Sequence, residues 1–224
     1  MRFFLETFYY LHKELFINLI KNQLKSKSFY ILILVLICSK SIFYSQDLKN
    51  EMFTNRNTID NNFVGDEKTE KLFDPKSKDS IIIIAKAENN SLFSIYVKNN
   101  KYKTLKLIPE DNSLYIIQEA LNQKKEWKPI EFWGYSTCGN SYENKIIFEP
   151  KSILHLTTMK YSGGFKTKIR FRLLLENKIY FSNELPSTIN LSKFEKSTWF
   201  NQLSRMYKPT SEASVEDLMF LKIR

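Results

Sequence analysis

Residues 166–173 are the stretch that most constrains how this chain can fold. Cationic side chains occupy every second position: Lys166, Lys168, Arg170 and Arg172. The alternate positions hold Thr167, Ile169, Phe171 and Leu173. Because successive side chains of a strand point to opposite faces, this pattern predicts a half-buried strand with four solvent-facing cations. We expect the apolar row to stabilise the fold and the cationic row to be available for binding.

A short polar segment after this strand predicts a β-hairpin with residues 179–183. The apolar pattern favours a three-residue loop that pairs Leu175 with Ile179. In that register Glu184 lies opposite Arg170, on the cationic face. A shift by one residue would move Glu184 to the apolar face, so the pattern argues against the shifted register.

Strand signals recur between residues 80 and 194. The β-branched run 81–84 predicts a buried strand, and asparagine-rich turns separate it from the strands that follow. Short strands, frequent turns and no long helical pattern predict an all-β fold, an antiparallel immunoglobulin-like β-sandwich over residues 80–194. Residues 195–224 have helical spacing and are predicted to form a short C-terminal appendage that packs on the sandwich.

Residues 1–45 have the composition of an export signal. An apolar run over residues 29–38 follows two lysines, and Ser45 supplies a small residue for cleavage. We expect cleavage after Ser45 and export to the periplasm or the cell surface. An uncleaved leader would instead attach the chain to the membrane.

Two further segments flank the apolar run. Residues 1–24 have helical spacing, so they either form an amphipathic helix at the membrane or precede a true start of translation near Leu24, which we favour. Residues 46–79 are polar, with scattered apolar side chains, and predict a linker.

Six basic and two acidic residues of the chain, whose net charge is +10, lie in residues 1–45. Residues 46–224 therefore carry 28 Lys and Arg against 22 Asp and Glu, a net +6 that weakly favours anionic partners. The sequence shows no phosphate-binding glycine loop, no nucleophilic serine motif and no cluster of metal-ligating residues. We therefore expect no cofactor and no metal. A nucleic acid is not expected as a partner of an exported chain without further basic segments, whereas an anionic glycan or another envelope protein fits.

Cys138 and His155 are the one cysteine and the one histidine that follow the leader. A thiolate with a histidine base is a known catalytic pair, so a cysteine hydrolase is one alternative function. The residues around Cys138 match no cysteine protease signature, and we expect a buried thiol and an outward-facing His155. The loop over residues 136–144 provides a second alternative, a protease-inhibitor-like sandwich that presents this loop.

A strand predicted over residues 127–135 has bulky side chains on both faces. Trp127, Trp133 and Tyr135 share one face, and Phe132 lies on the other. Either the C-terminal appendage covers the first face, which we favour, or the aromatic side chains form an exposed binding platform. Trp133 and Tyr135 therefore join the four cations as candidate binding residues.

Three segments give the chain a resemblance to a group of proteins. They read Trp127-Lys-Pro-Ile-Glu-Phe-Trp, Ser136-Thr-Cys-Gly-Asn-Ser and Phe165-Lys-Thr-Lys-Ile-Arg-Phe-Arg. With the Ser-Gln end of the leader, they resemble uncharacterised exported immunoglobulin-like proteins of flavobacteria (Bacteroidota). The resemblance covers residues 113–194 and implies a sandwich in the cell envelope, with no assigned activity. Our hypothesis is a non-catalytic exported binding module with a cationic strand face.

Overall fold

The computed structural model describes residues 51–54, 56–207 and 214–222. Over these residues the chain is mostly antiparallel β-sheet with few helices, as the sequence predicts for an all-β fold. The predicted leader, its cleavage site and the alternative start lie outside the described residues.

The first sheet has four antiparallel strands that the β-branched and alternating segments form. Its order is β1 (Thr58–Ile59), β8 (Ile153–Met159), β3 (Leu92–Asn99) and β2 (Ile81–Ala87). The isoleucines of β2 alternate between buried and half-buried positions, so one row faces the core and the other lies on the outer face. The predicted strand at residues 81–84 is confirmed.

The second sheet is built around the strand in which cationic and apolar side chains alternate. Its order is β10 (Lys178–Phe181), β9 (Phe165–Leu175), β5 (Ile116–Leu121) and β6 (Trp127–Pro129), and β11 (Leu185–Ile189) also pairs with β9. A separate ribbon joins β4 (Leu105–Leu107) to β7 (Ile146–Phe148). The strand predicted over residues 127–135 is thus shorter in the structure, ending at Pro129.

The inner rows of both sheets share one hydrophobic core. Phe93 from β3 meets Phe171 from β9 edge to face, with ring centroids 5.5 Å apart. Ile95, Leu156 and Ile169 are fully buried or nearly so in the same cluster. The apolar row predicted for β9 therefore faces the core.

A second core lies on the outer face of the second sheet. Two capped helices, α2 (Thr198–Met206) and α3 (Val215–Met219), contribute to it. Phe200 of α2 and Met219 of α3 pack with Ile117 of the second sheet. Phe132 and Trp133, from the segment after β6, belong to the same cluster. The C-terminal appendage thus covers Trp133, as predicted, but Phe132, predicted to lie on the opposite face, packs in the same cluster because the strand ends at Pro129.

The hairpin between β9 and β10 is tighter than predicted. Leu175 pairs with Lys178, so the turn contains two residues, Glu176 and Asn177. Both have positive φ angles, 49° and 54°, which is the geometry whose twist matches that of a hairpin. The predicted three-residue loop is therefore wrong.

An extra residue after β10 restores the predicted facing further along. Phe181 pairs with Arg172, whereas Leu185 pairs with Ile169, so four steps on one strand match three on β9. Ser182 fills this bulge: its hydroxyl accepts a hydrogen bond from the Phe171 amide at 2.9 Å. The apolar pattern requires a one-residue change of pairing register between the two strands, but it does not show at which residue the change occurs.

The predicted linker over residues 46–79 is wrong for its described part. Met52, Ile59 and Phe73 are buried, and Ile59 belongs to a strand of the first sheet. The Asn57 side chain is also buried and bonds both the amide and the carbonyl of Leu114, at 3.0 and 2.6 Å. The segment also contains a short helix, α1 (Glu67–Glu70). The globular part therefore begins well before the predicted boundary at residue 80.

The two adjacent glycines before β9 provide a matched test of this packing. A Cβ at Gly163 would overlap the backbone of Ile189 and Asn190, whereas a Cβ at Gly164 would meet nothing within 4 Å. We expect Gly163→Ala to lower the free energy of unfolding by about 2 kcal/mol or more, because backbone atoms cannot move aside as a side chain can. Gly164→Ala should change it by less than about 0.5 kcal/mol. Denaturant unfolding of both variants measures the difference, and equal effects would contradict the close approach at Gly163.

Candidate functional site

A buried carboxylate pairs with two of the four cations in the predicted row. Glu119 on β5 is fully buried and forms ion pairs with both Arg170 and Arg172. The side chains of the two arginines are only 21% and 14% exposed, while Lys166 and Lys168 are exposed. The prediction of four solvent-facing cations is therefore wrong for the arginines, because a buried carboxylate requires nearby positive charge.

Arg170 is also held between two aromatic rings. Its guanidinium carbon lies 4.4 Å from the centre of the Trp127 ring and 3.9 Å from that of Phe181. Planar guanidinium groups stack favourably on aromatic faces. The two rings and Glu119 together fix the position of Arg170.

Arg172 connects the second sheet to the C-terminal segment. Its Nη1 donates a hydrogen bond to the Phe220 carbonyl oxygen at 3.0 Å. Burial lowers the pKa of Arg172, and the adjacent Glu119 carboxylate opposes that shift. Arg172 therefore has a structural role in addition to lining the cleft described next.

A cleft of about 850 Å³ lies between the β5–β6 turn and the C-terminal segment. Cations from separate parts of the chain line it: Lys124, Lys128, Arg172, Lys196 and Lys222. The acidic residues in the described part of its walls are Glu126, Glu195 and Glu216. Its aromatic residues are Trp127, Phe194 and Phe220. We call this site the lysine cleft; it has an apolar wall and more cations than acids in its lining, while Arg172 and Lys222 pair with Glu119 and Asp217 outside it.

The charges of the lysine cleft are partly paired. Glu126 lies 3.4 Å from Lys128, and Lys196 lies 2.5 Å from Glu216. A hydrogen bond from Asn122 lowers the pKa of Glu126, and the charge of Lys128 adds to this effect. Lys124 makes no ion pair within the described ranges. Exposed pairs of this kind are weak, so their lysines can exchange partners for a ligand anion.

Trp133 and Tyr135, the aromatic candidates, do not form an exposed platform. Trp133 is fully buried, and its indole Nε1 donates to Glu110 Oε2 at 3.0 Å. Tyr135 is half-buried and packs edge to face against Tyr207, with ring centroids 6.1 Å apart. Burial raises the pKa of Tyr135, so its hydroxyl remains neutral. Both residues belong to the contact between the sheet and the C-terminal appendage.

The loop over residues 136–144 is attached to the buried side chain of Glu110, which also bonds Trp133. Glu110 Oε1 accepts a hydrogen bond from the Ser136 amide at 2.6 Å and also pairs with Arg56. Beyond this point the loop contains a 3-10 helix over Gly139–Tyr142. A helical turn is not the extended conformation that adds to a partner as a strand. The geometry therefore lends the protease-inhibitor alternative little support.

Cys138 and His155 are not brought together. Cys138 is an exposed free thiol, so the prediction that it is buried is wrong. Its amide bonds the Ser136 hydroxyl at 3.1 Å. No hydrogen bond joins Cys138 to His155 among the residues that the structure describes. The geometry thus does not assemble the dyad that a cysteine hydrolase would use.

His155 instead joins a polar chain on the outer face of the first sheet. Its Nδ1 lies 3.2 Å from Asp60 Oδ2, and its Nε2 lies 3.1 Å from Ser94 Oγ. The order of these groups is that of a serine hydrolase triad. However, Ser94 is 2% exposed and its hydroxyl donates to Glu88 at 2.8 Å. The Ser94 hydroxyl therefore already bonds a carboxylate, and its burial keeps it from a substrate.

The lysine cleft was missed by the sequence argument, although part of it was visible. Lys124, Lys128 and Trp127 lie within five consecutive residues, a local cluster of cationic and aromatic side chains. Lys196 and Lys222 come from the appendage, and no pattern in the sequence indicates that they face this turn. The packing of the C-terminal segment brings them there.

Comparison with protein-family models, curated proteins and solved structures finds no match to this chain. Across residues 51–54, 56–207 and 214–222, no three potential metal ligands lie close enough to hold an ion. Over the same ranges no helix has both the length and the apolar character needed to span a bilayer.

Two residues of β9 test the division of the cationic row. We expect Arg172→Ser to lower the free energy of unfolding by at least about 2 kcal/mol, because losing one partner of a buried ion pair costs about 3–5 kcal/mol and Arg170 still compensates in part. Lys168→Ser, which removes an exposed pair with Glu184, should cost less than about 1 kcal/mol. Denaturant unfolding measures both. Equal small losses would show that Glu119 does not depend on Arg172.

Proposed function

We propose that this protein is a non-catalytic, exported β-sandwich of the immunoglobulin-like type that binds an anionic ligand of the cell envelope in the lysine cleft. The observation that carries the proposal is the cleft itself, where cations from separate parts of the chain line one volume of about 850 Å³. Positive potential in a concave site attracts and retains anions.

The lysine cleft is a better candidate for the binding site than the row of cations on β9. Arg170 and Arg172 are engaged by Glu119, and an arginine in a buried ion pair is not free for a ligand. Lys166 and Lys168 are exposed but do not line the cleft. Lys124 and Lys128 are equally exposed and border a concave surface.

The groups that line the cleft support binding rather than catalysis. Among the residues that the structure describes, its lining contains no serine, cysteine or histidine. Its carboxylate Glu126 has a lowered pKa, whereas a general acid at neutral pH requires a raised one.

Export and the envelope ligand rest on the sequence. A basic segment, a short apolar run and a small residue before position 46 support export. The facing antiparallel sheets support the assignment to the immunoglobulin-like class. The ligands that fit are an acidic glycan or the acidic surface of an envelope protein.

Two matched double variants test this proposal. Lys124→Ser with Lys128→Ser removes two exposed cations from the cleft, and Lys166→Ser with Lys168→Ser removes two from β9. We expect the first pair to weaken binding of dextran sulfate roughly five- to tenfold at low salt, since an exposed charge pair contributes up to about 1 kcal/mol. The second pair should weaken it less than about twofold. Titration with labelled dextran sulfate, with neutral dextran as the uncharged control, measures the affinities.

The dependence of the affinity on salt shows whether charge pairing in the cleft causes the binding. Wild-type binding should weaken as ionic strength rises, and the cleft variant should show a shallower dependence. A larger loss in the β9 variant than in the cleft variant would contradict the choice of site. Absence of binding to any anionic polymer would contradict the proposed function.

A further inference from the structure

We propose that the ligand of the lysine cleft is a carboxylated polysaccharide, whose sugar rings stack on Trp127 and whose carboxylates pair with Lys124 and Lys128. This inference rests on the proposed function and names the chemical class of its ligand. It differs from binding of an acidic protein surface, which supplies carboxylates without pyranose rings.

Trp127 is held in place as a stacking surface. It lies on the edge strand β6 and is half-buried, and Arg170 lies over its ring at 4.4 Å. Arg170 itself is fixed by Glu119 and by the ring of Phe181. Arg170 does not line the cleft, whereas Trp127 does, so part of the indole remains available to a ligand there. An aromatic ring fixed in this way presents an apolar surface that suits the C–H groups of a sugar.

The turn before Trp127 has a fixed backbone conformation that positions Lys124. The Asn122 side-chain oxygen accepts hydrogen bonds from the amides of Lys124 and Glu126, at 2.9 and 3.0 Å. Lys125 adopts a positive φ of 62°, which closes the turn. Lys124 therefore lies on a turn with a defined conformation, and Lys128 follows Trp127 within β6, so the two lysines flank the indole in sequence.

The distribution of charge favours a polymer over a single small anion. A phosphate or sulfate group is best held by converging donors, above all by an arginine fork. Arg172, the arginine in the described part of the cleft lining, already bonds Glu119 and the Phe220 carbonyl. The lysines are spread over the turn and the C-terminal segment, as a chain with repeated carboxylates requires.

The test compares two carboxylated polymers on the full chain. Polygalacturonate carries pyranose rings, and poly-L-glutamate carries similar charge without them. We expect wild-type protein to prefer polygalacturonate at matched charge concentration, and Trp127→Leu to weaken polygalacturonate binding about three- to tenfold, the range of one aromatic contact. Binding of poly-L-glutamate should change less than about twofold.

Phe181→Leu is the matched control. It also removes one ring from Arg170, but Phe181 does not line the cleft, so both polymers should bind as to wild type. Trp127→Tyr keeps a ring and should retain most of the preference, which separates stacking from loss of folding.

The outcomes separate this inference from the function on which it rests. Equal binding of both polymers, unchanged in Trp127→Leu, would overturn the polysaccharide assignment and favour an acidic protein partner while leaving the anionic cleft in place. An equal loss in Phe181→Leu would show that Trp127 acts through Arg170 and would also overturn it. Failure of both polymers to bind wild-type protein would overturn the proposed function itself.

Discussion

The buried carboxylate of Glu119, with Arg170 and Arg172 against it, determines how the outer face of the second sheet is used. An ionised carboxylate at 0% exposure is stable only when opposite charge and hydrogen-bond donors surround it. Both arginines pair with Glu119, and each also contacts another part of the fold. Arg170 stacks on Trp127, and Arg172 bonds the backbone of Phe220. One buried charge thus links the sheet to the two elements that border the lysine cleft.

Two other buried acids join distant segments in the same way. Glu110 accepts hydrogen bonds from Trp133 and Ser136 and pairs with Arg56. Glu131 accepts from the Gln118 amide at 2.8 Å and from the Tyr161 hydroxyl at 2.6 Å. Breaking such a pair leaves an uncompensated charge, so these acids specify one arrangement of the segments they join. Apolar packing alone specifies position less strictly.

Strand existence and facing could be predicted because they depend on local alternation. The inner row of β9 and the burial of Trp133 under the appendage followed from sequence, but the two-residue turn at Glu176 required knowing the bulge at Ser182. The burial of Arg172 could not be predicted either, because it depends on Glu119, which is 53 positions earlier in the chain. The cleft depends on how the appendage packs, and this is set by long-range contacts that leave no period in the sequence.

Lysine footprinting in the presence of polygalacturonate tests the central claim most directly, since it maps the bound surface without substituting any residue. Acetylation of each lysine is measured by mass spectrometry with and without the polymer, at low and high salt. Our account predicts that Lys124 and Lys128 are protected at low salt and become reactive again at high salt, whereas Lys76 and Lys166 react equally throughout. Protection confined to Lys166 and Lys168 would contradict it, because the anion would then bind the strand row and not the cleft.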